Sequence, residues 1–167
     1  MNYISKILVL CTLIFKENWR GLGVIYTLFF YKHMKKCKAR SCATCEYLEE
    51  GVEPDFPNAN VTLKVNHKFS CDSGYLLYKL TCKGCKDYYI GRTTCLKDRF
   101  AGHKIKTNNP TYRLQRMYIH IYNCARGEER RFTIMPFLKM HYEKISEMAV
   151  VESHYIHWLK PGLNTLF

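Results

Sequence analysis

Four cysteines in the first half of the sequence have the spacing of metal ligands. They follow the pattern C-x4-C-x2-C-x25-C: Cys37, Cys42, Cys45 and Cys71. Four thiolates can close a tetrahedral zinc site, which stabilises a segment too small to bury a large core. A second C-x2-C pair allows an alternative site with the ligands Cys42, Cys45, Cys82 and Cys85. A third alternative is that the cysteines hold no structural metal.

The remaining cysteines, Cys11, Cys95 and Cys124, are expected to be unliganded thiols. The total of nine cysteines is odd, so complete pairing in disulfides would leave one over. The C-x2-C spacings also suit metal better than disulfide bridges. We therefore expect a reducing compartment, with a nuclear or cytoplasmic location.

Residues 73–167 carry a second set of groups, whose types suit phosphate chemistry: Tyr78, Tyr89, Arg99, His103 and Glu152. Phosphodiester hydrolysis needs an aligned water, a cation for the charge on the phosphoryl oxygens and stabilisation of the leaving oxygen. Glu152 stands between apolar neighbours, where a carboxylate is costly unless it is paired with a cation or a metal. Glu147 is the nearest alternative carboxylate.

A β-hairpin and two helices must position these groups. Residues 75–81 and 88–91 are predicted strands, and the turn 82–87 between them contains Gly84, which is expected to supply the unusual backbone angle. Residues 94–106 are a predicted helix, with Thr93 or Thr94 as its N-cap. Its 3.6-residue period places Arg99 and His103 on one face.

Five further segments complete the predicted organisation. Alternating polarity predicts a strand over 61–69, and the acidic, proline-containing segment 49–60 is expected to lack regular structure. Downstream we predict a helix over 111–123, a strand over 131–138 that Pro136 restricts to a sheet edge or end, and a helix over 143–158 that Pro161 and Gly162 terminate.

The order of these motifs resembles the GIY-YIG endonuclease domain over residues 73–167. Leu76-Leu77-Tyr78 stands at the first tripeptide and Tyr89-Ile90-Gly91 at the second, and Pro161-Gly162-Leu163-Asn164 follows the last helix. The resemblance is greatest to the C-terminal domains of Penelope-like and related retroelement proteins, which carry a Cys-x-x-Cys between the two tripeptides. The first tripeptide departs from the family pattern because it lacks the glycine and the isoleucine.

The resemblance implies a fold and an activity. The fold is α/β of the α+β kind, a small, mainly antiparallel sheet flanked by helices, preceded here by a Cys-rich module. The activity is metal-dependent DNA endonuclease cleavage. Tyr78 would act as general base or orient the water, Tyr89 would assist and Arg99 would bind the scissile phosphate. His103 would help to deprotonate the tyrosine and water, Glu152 would hold Mg²⁺ or Mn²⁺, and Asn164 would support the site.

The predicted domains are an apolar leader at 1–31, a Cys-rich module at 32–72 that could bind zinc, and a GIY-YIG nuclease-like domain at 73–167. The leader's two apolar runs are too short to span a membrane, so we expect no membrane contact from it. Two other functions fit the same pattern. One is a catalytically inactive retroelement remnant, and the other is a zinc-stabilised nucleic-acid-binding module.

Composition supports a polyanionic partner. The 167 residues carry a formal charge of +12, of which residues 73–167 carry +9. Basic side chains near phosphates release condensed counterions, so the charge favours a polyanionic partner such as nucleic acid or an anionic membrane. The resemblance implies that this partner is DNA, and a small-molecule substrate is not expected. The chain is 47% hydrophobic and 14% aromatic, which excludes intrinsic disorder. The oligomeric state leaves no signature in the sequence.

Overall fold

The structure is a computed structural model that describes residues 34–37, 39, 41–51, 53–63, 65, 67–112, 115–140 and 145–164. All of them belong to the second of two compact units, Tyr31–Phe167. The predicted leader, 1–31, lies outside the described residues, and the three domain boundaries remain predictions. Across the described ranges, no helix is both long and apolar enough to cross a membrane.

A three-stranded antiparallel sheet forms the centre of the unit. Its strands are β3 (Leu76–Cys82), β4 (Tyr88–Thr93) and β5 (Phe132–Lys139), in the order β4-β3-β5. The predicted hairpin is confirmed, with Tyr78 opposite Gly91 and Leu80 opposite Tyr89. Pro136 lies on the edge strand β5, as the missing N–H of proline requires.

Three helices follow or interrupt the strands, close to the predicted segments. They are α1 (Leu96–Asn108), α2 (Arg116–Cys124) and α3 (Ile145–Leu159). Helix α2 is shorter than predicted, because a 3-10 turn at Pro110–Tyr112 precedes it. The predicted N-cap of α1 is wrong: Cys95 holds that position without a side-chain cap, and Thr93 Oγ1 instead accepts the Cys95 N–H at 3.1 Å.

The sheet is covered on both faces because successive strand residues point to opposite sides. On one face Tyr78, Leu80 and Tyr89 pack with residues of α1, α2 and the Cys-rich segment. On the other face Leu77 and Ile90 pack with residues of α3 and of the segment around Phe56. This arrangement confirms the predicted α+β class, including the Cys-rich segment ahead of the sheet.

The predicted strand at 61–69 is wrong for most of its length. Among the described residues of this range, only Val61–Thr62 (β2) form a named strand, which pairs with Asp55–Phe56 (β1), and a 3-10 turn at Pro57–Ala59 joins the two. Val65 and Phe69 are buried, which explains the alternating polarity of the sequence. Burial without backbone pairing does not make a strand, and Phe69 forms only a single bridge, to Met34.

After α3 the chain turns back along β4. Lys160 adopts the left-handed conformation (φ 51°) next to Pro161, which ends the helix as predicted. Asn164 then binds both polar groups of the Ile90 backbone: its Oδ1 accepts the N–H at 2.7 Å and its Nδ2 donates to the carbonyl at 2.9 Å. We call residues 161–164 the β4 clasp, because they hold the outer edge of the strand that carries Tyr89 and Gly91.

Candidate active site

Three of the predicted site residues meet at one hydroxyl group. Tyr78, in the middle of β3, is completely buried. Its hydroxyl oxygen accepts the Nε–H of Arg99 at 2.9 Å and lies 2.7 Å from Nε2 of His103. The resulting triad joins the central strand to helix α1.

The packing of α1 explains why two polar side chains face the sheet. Leu96 and Phe100 are buried in the core and orient the helix. Arg99 and His103 therefore lie one turn apart over Tyr78, as their spacing predicts. His103 is only 1% exposed. Arg99 is half-buried, and within the described residues its side chain has no hydrogen-bond partner other than Tyr78, so its Nη groups can bind a phosphate.

Tyr89 contributes its ring to the same group. The ring centroids of Tyr89 and Tyr78 are 6.3 Å apart, and those of Tyr89 and His103 are 6.1 Å apart. Gly91 makes room for this arrangement, because a Cβ at residue 91 would lie 2.5 Å from the Tyr78 hydroxyl oxygen and 2.6 Å from the Tyr89 ring. The glycine of the second tripeptide therefore has a steric function.

Burial sets the resting protonation state of the triad. Burial, together with the nearby charges of Arg99 and Lys106, lowers the pKa of His103 to about 3. Burial also raises the pKa of Tyr78 above its usual value, although Arg99 opposes the change. At neutral pH the site therefore holds a neutral imidazole beside a protonated phenol.

Sequence reasoning missed one neighbour of His103. The hydroxyl of Tyr118, on α2, lies 3.0 Å from Nδ1 of His103, and its side chain is 5% exposed. Both ring nitrogens of the histidine thus have a phenol partner. The sequence offered no signal for this contact, because Tyr118 is one of 13 tyrosines and the contact depends on how α2 packs against α1.

Glu152, on α3, is paired with Arg92, the residue that follows Gly91. Its Oε1 accepts the Arg92 backbone N–H at 3.0 Å, and its Oε2 forms an ion pair with the Arg92 guanidinium. Arg92 therefore supplies the cation that this carboxylate was expected to need. The predicted alternative, Glu147, is exposed in the first turn of α3.

The Glu152 carboxylate also fits a divalent cation. Each of its oxygens keeps a second lone pair beside the Arg92 contact, and its side chain is 14% exposed. Mg²⁺ often takes one or two protein carboxylates and completes its coordination with waters and substrate phosphates. Across the part of the chain that the structure describes, Glu152 belongs to no cluster of three ligating side chains, so phosphate and water would supply the other ligands.

Replacing Gly91 by alanine is expected to lower the stability of the protein and disturb the site. The new methyl group would force Tyr78 and Tyr89 apart, at a cost of about 1–3 kcal/mol for an overpacked core. Thermal or urea unfolding measures this loss. Gly102→Ala in α1 is the matched control, because a Cβ there meets nothing within 4 Å. The control should stabilise the helix by about 0.5–1 kcal/mol, and equal effects of the two variants would contradict the steric function of Gly91.

The first group of cysteines converges as predicted. The thiols of Cys37, Cys42, Cys45 and Cys71 all lie within 4.8 Å of one another; we call them cluster 1. The Cys42–Cys71 and Cys37–Cys45 sulfur distances are 3.6 and 3.3 Å, well beyond the roughly 2.05 Å of a disulfide. A zinc tetrahedron with Zn–S bonds of about 2.3 Å has sulfur–sulfur edges of roughly 3.8 Å. Cluster 1 therefore fits a zinc ion.

Burial and hydrogen bonds within cluster 1 shift the pKa values of Cys45 and Cys42 in opposite directions. Burial raises the pKa of Cys45 to about 11, and the neighbouring Cys37 thiol adds to the effect. Burial acts in the same direction on Cys42, but the Cys45 backbone and the surrounding thiols donate hydrogen bonds to it and lower its pKa to about 6. The thiolate form is thus favoured at Cys42 and disfavoured at Cys45, where a bound cation would stabilise it.

A second cluster corrects two sequence-based predictions. Cys82 and Cys85 do not join Cys42 and Cys45, so the alternative zinc site is wrong. They instead meet two residues of α2, His120 and Cys124, with all ligand atoms within 4.8 Å. The Cys85 sulfur lies 3.2 Å from Nε2 of His120. Cys124, predicted to be an isolated thiol, therefore belongs to this group, which we call cluster 2.

The hairpin turn is shaped by cluster 2. Gly84 was expected to supply an unusual backbone angle, but Lys86 is the residue with positive φ (67°). A Cβ at Gly84 would lie 2.3 Å from the Cys124 carbonyl oxygen and 2.8 Å from its sulfur. Glycine is thus required because the turn approaches the end of α2 closely. This approach depends on tertiary packing, and no local pattern in the sequence indicates it.

Comparison with known proteins agrees with the geometry. The family model described as the GIY-YIG catalytic domain matches residues 74–165. This range includes the triad, Tyr89, Gly91, Glu152, the β4 clasp and cluster 2. No curated protein and no solved structure matches the chain.

Proposed function

Because the chain belongs to the GIY-YIG catalytic domain family, we propose that it is a metal-dependent DNA endonuclease. Membership implies nuclease activity and a nucleic-acid substrate in general. The choice of DNA and the dependence on metal are our proposals. The observation that carries the nuclease proposal is the Tyr78 hydroxyl, which accepts a hydrogen bond from Arg99 and lies 2.7 Å from Nε2 of His103.

Arg99 is proposed to bind the scissile phosphate. Its Nε–H is used by Tyr78, while its Nη groups have no described partner. A guanidinium offers donors in a fixed fork that matches phosphate oxygens. Because Arg99 covers the fully buried Tyr78, a phosphate that draws the guanidinium outwards would also open the tyrosine hydroxyl to the attacking water.

Tyr78 and His103 are proposed to remove the proton from that water. The phenol is protonated at rest, so it can accept a proton only if it passes its own to a base. Arg99 is a donor only, whereas the neutral His103 offers a ring nitrogen at 2.7 Å. The proton would move from water to the Tyr78 oxygen while the tyrosine proton moves to Nε2.

Glu152 is proposed to hold one Mg²⁺ or Mn²⁺. A divalent ion at this carboxylate would stabilise charge on the phosphoryl and leaving oxygens. The ion would use the lone pairs of Glu152 that Arg92 leaves free, and the partly exposed Arg92 guanidinium would lie beside it, where it is available to the DNA backbone. Asn164 supports the site indirectly, since the β4 clasp holds the backbone of Ile90.

Structural zinc in both cysteine clusters is part of the proposal. Cluster 1 offers four thiols, and cluster 2 offers three thiols and an imidazole; both sets are typical of closed zinc sites. Zinc in cluster 1 would hold the Cys-rich segment against the sheet. Zinc in cluster 2 would join the hairpin turn to α2.

An origin in a Penelope-like or related retroelement is also proposed. It is supported by Cys82 and Cys85 in the hairpin between the two tripeptides. We also propose a nuclear or cytoplasmic location, because free thiols and zinc clusters suit a reducing compartment.

A plasmid-nicking assay on the full chain tests the nuclease proposal. We expect nicking with Mg²⁺ or Mn²⁺, none with EDTA, and a rate about 100- to 1,000-fold lower for Arg99→Ala, since loss of one charge-stabilising donor has effects of this size. Arg126→Ala is the control, because Arg126 is exposed and distant from the triad in sequence. EDTA-resistant nicking, or equal rates for both variants, would contradict the proposal.

A second candidate is a catalytically inactive nucleic-acid-binding protein. The complete burial of Tyr78 under Arg99 favours it, because a hydroxyl closed to water cannot act on a substrate. In this case the zinc-loaded wild type would bind DNA and leave it intact at every metal concentration. The nicking assay and a DNA-binding measurement on the same preparation distinguish the two functions.

A further inference from the structure

Both ring nitrogens of a buried histidine must find partners, and this requirement identifies another member of the site. His103 is 1% exposed, so no solvent is available to either nitrogen. Nε2 lies 2.7 Å from the Tyr78 hydroxyl and Nδ1 lies 3.0 Å from the Tyr118 hydroxyl. A neutral imidazole has one N–H and one lone pair. One phenol must therefore donate a hydrogen bond to the ring, and the other must accept one.

Arg99, the other partner of Tyr78, determines which phenol donates a hydrogen bond to His103 and which phenol accepts one. Arg99 donates its Nε–H to the Tyr78 oxygen and has no lone pair to offer. If Tyr78 is to give up its proton during catalysis, Nε2 must carry the lone pair. The imidazole proton then resides on Nδ1, and the Tyr118 oxygen must accept it.

We propose that Tyr118 is a positioning residue that fixes the tautomer of His103. Its oxygen accepts the Nδ1–H, which leaves Nε2 as the acceptor for the Tyr78 hydroxyl. The inference rests on the proposed nuclease function. In catalytic triads an acceptor on the second nitrogen of the histidine has the same effect, and here the acceptor is a neutral phenol.

The surroundings of Tyr118 suit a fixed acceptor. Its ring lies against His103 with centroids 5.8 Å apart, and Lys106 Nζ is 5.6 Å from its ring centroid. The side chain is nearly buried between α1 and α2. Tyr118 lies two residues before His120 on α2. Because His120 and Cys124 belong to cluster 2, this cluster joins the same helix to the hairpin turn between β3 and β4.

Tyr118→Phe tests the proposal, because it removes the oxygen and keeps the ring. Without its acceptor, the buried Nδ1–H would be unpaired, so the imidazole should change to the Nε2–H tautomer, which donates to Tyr78. Two readouts are needed on the full chain. Long-range ¹H–¹⁵N NMR spectra, assigned with His103→Gln, report the tautomer, and plasmid-nicking kinetics report kcat and KM.

We expect His103 of the wild type to be protonated at Nδ1 and that of Tyr118→Phe to be protonated at Nε2. The variant should lose about 10- to 100-fold in kcat, with KM unchanged, the size of effect seen when groups that orient metal-binding histidines are removed. Tyr122→Phe, one turn further along α2, is the matched control and should nick DNA within two-fold of the wild type.

Three results would overturn the proposal: an Nε2-protonated His103 in the wild type, an unchanged tautomer in Tyr118→Phe, or a changed tautomer with undiminished kcat. If the wild type cleaves no DNA, the nuclease function fails. The NMR comparison would then still decide whether Tyr118 sets the tautomer. The two failures are thus distinguishable.

Discussion

Glu152→Ala is expected to lower the nicking rate by at least about 1,000-fold while DNA binding is retained. The carboxylate is the proposed protein ligand of the divalent ion. A metal that stabilises phosphoryl charge lowers the activation barrier by several kcal/mol. The substitution also releases Arg92, whose guanidinium and backbone N–H it leaves unpaired. The freed guanidinium of Arg92, on β4, should maintain or increase the affinity of the protein for DNA.

The fold should survive this substitution, since leaving the Arg92 N–H and guanidinium without their partner costs about 1–3 kcal/mol, less than the roughly 5–15 kcal/mol by which a typical domain is stable. Thermal unfolding, fluorescence-anisotropy binding to a duplex and plasmid nicking separate the three effects. Glu147→Ala is the matched control, an exposed carboxylate on the same helix. Nicking by Glu152→Ala within ten-fold of the wild-type rate, or loss of nicking in Glu147→Ala instead, would assign the metal to another group.

Loss of zinc from cluster 1 is expected to produce the largest change in stability. Structural zinc contributes roughly 10–16 kcal/mol of apparent binding free energy in small domains, and little regular structure surrounds these cysteines. Yet Cys45, Cys71 and Phe69 belong to the same buried core as Tyr78. Cys71→Ser, or a strong chelator, should therefore lower the melting temperature markedly and expose residues 34–71 to proteases.

Metal analysis makes this expectation specific. The wild type should carry two zinc ions per chain, Cys71→Ser one and Cys85→Ser one, because the two clusters share no ligand. Cys95→Ser is the control, since Cys95 is a half-buried thiol outside both clusters. A wild type that contains no zinc, or that melts at the same temperature with and without chelator, would rule out structural zinc.

Local patterns were enough to predict the hairpin and the faces of α1. The alternation in β3 and the spacing of Arg99 and His103 each depend on a few neighbouring residues, and both groups reach Tyr78 as expected. The Cys-x-x-Cys spacings likewise singled out the two cysteine pairs that lie in clusters 1 and 2. Pro136 even identified its strand as an edge.

Contacts that depend on tertiary packing could not be predicted in this way. Helix α2 contributes Tyr118, which contacts His103, and also His120 and Cys124 of cluster 2. Nothing in its sequence indicates which elements it approaches. The Arg92–Glu152 pair joins residues 60 positions apart. The strand predicted over 61–69 failed for a related reason, because alternating burial can come from packing alone.

The β4 clasp has a consequence for the order in which the protein folds during synthesis. A ribosome releases the chain from its N-terminal side, so Tyr78, Tyr89, Arg99 and His103 emerge well before residues 161–164. Until the clasp arrives, the Ile90 N–H and carbonyl lack the side chain that satisfies them, and Glu152 has only just been added. Nascent chains would therefore reach a folded hairpin before the candidate site is complete, because Glu152 and the β4 clasp are synthesised last.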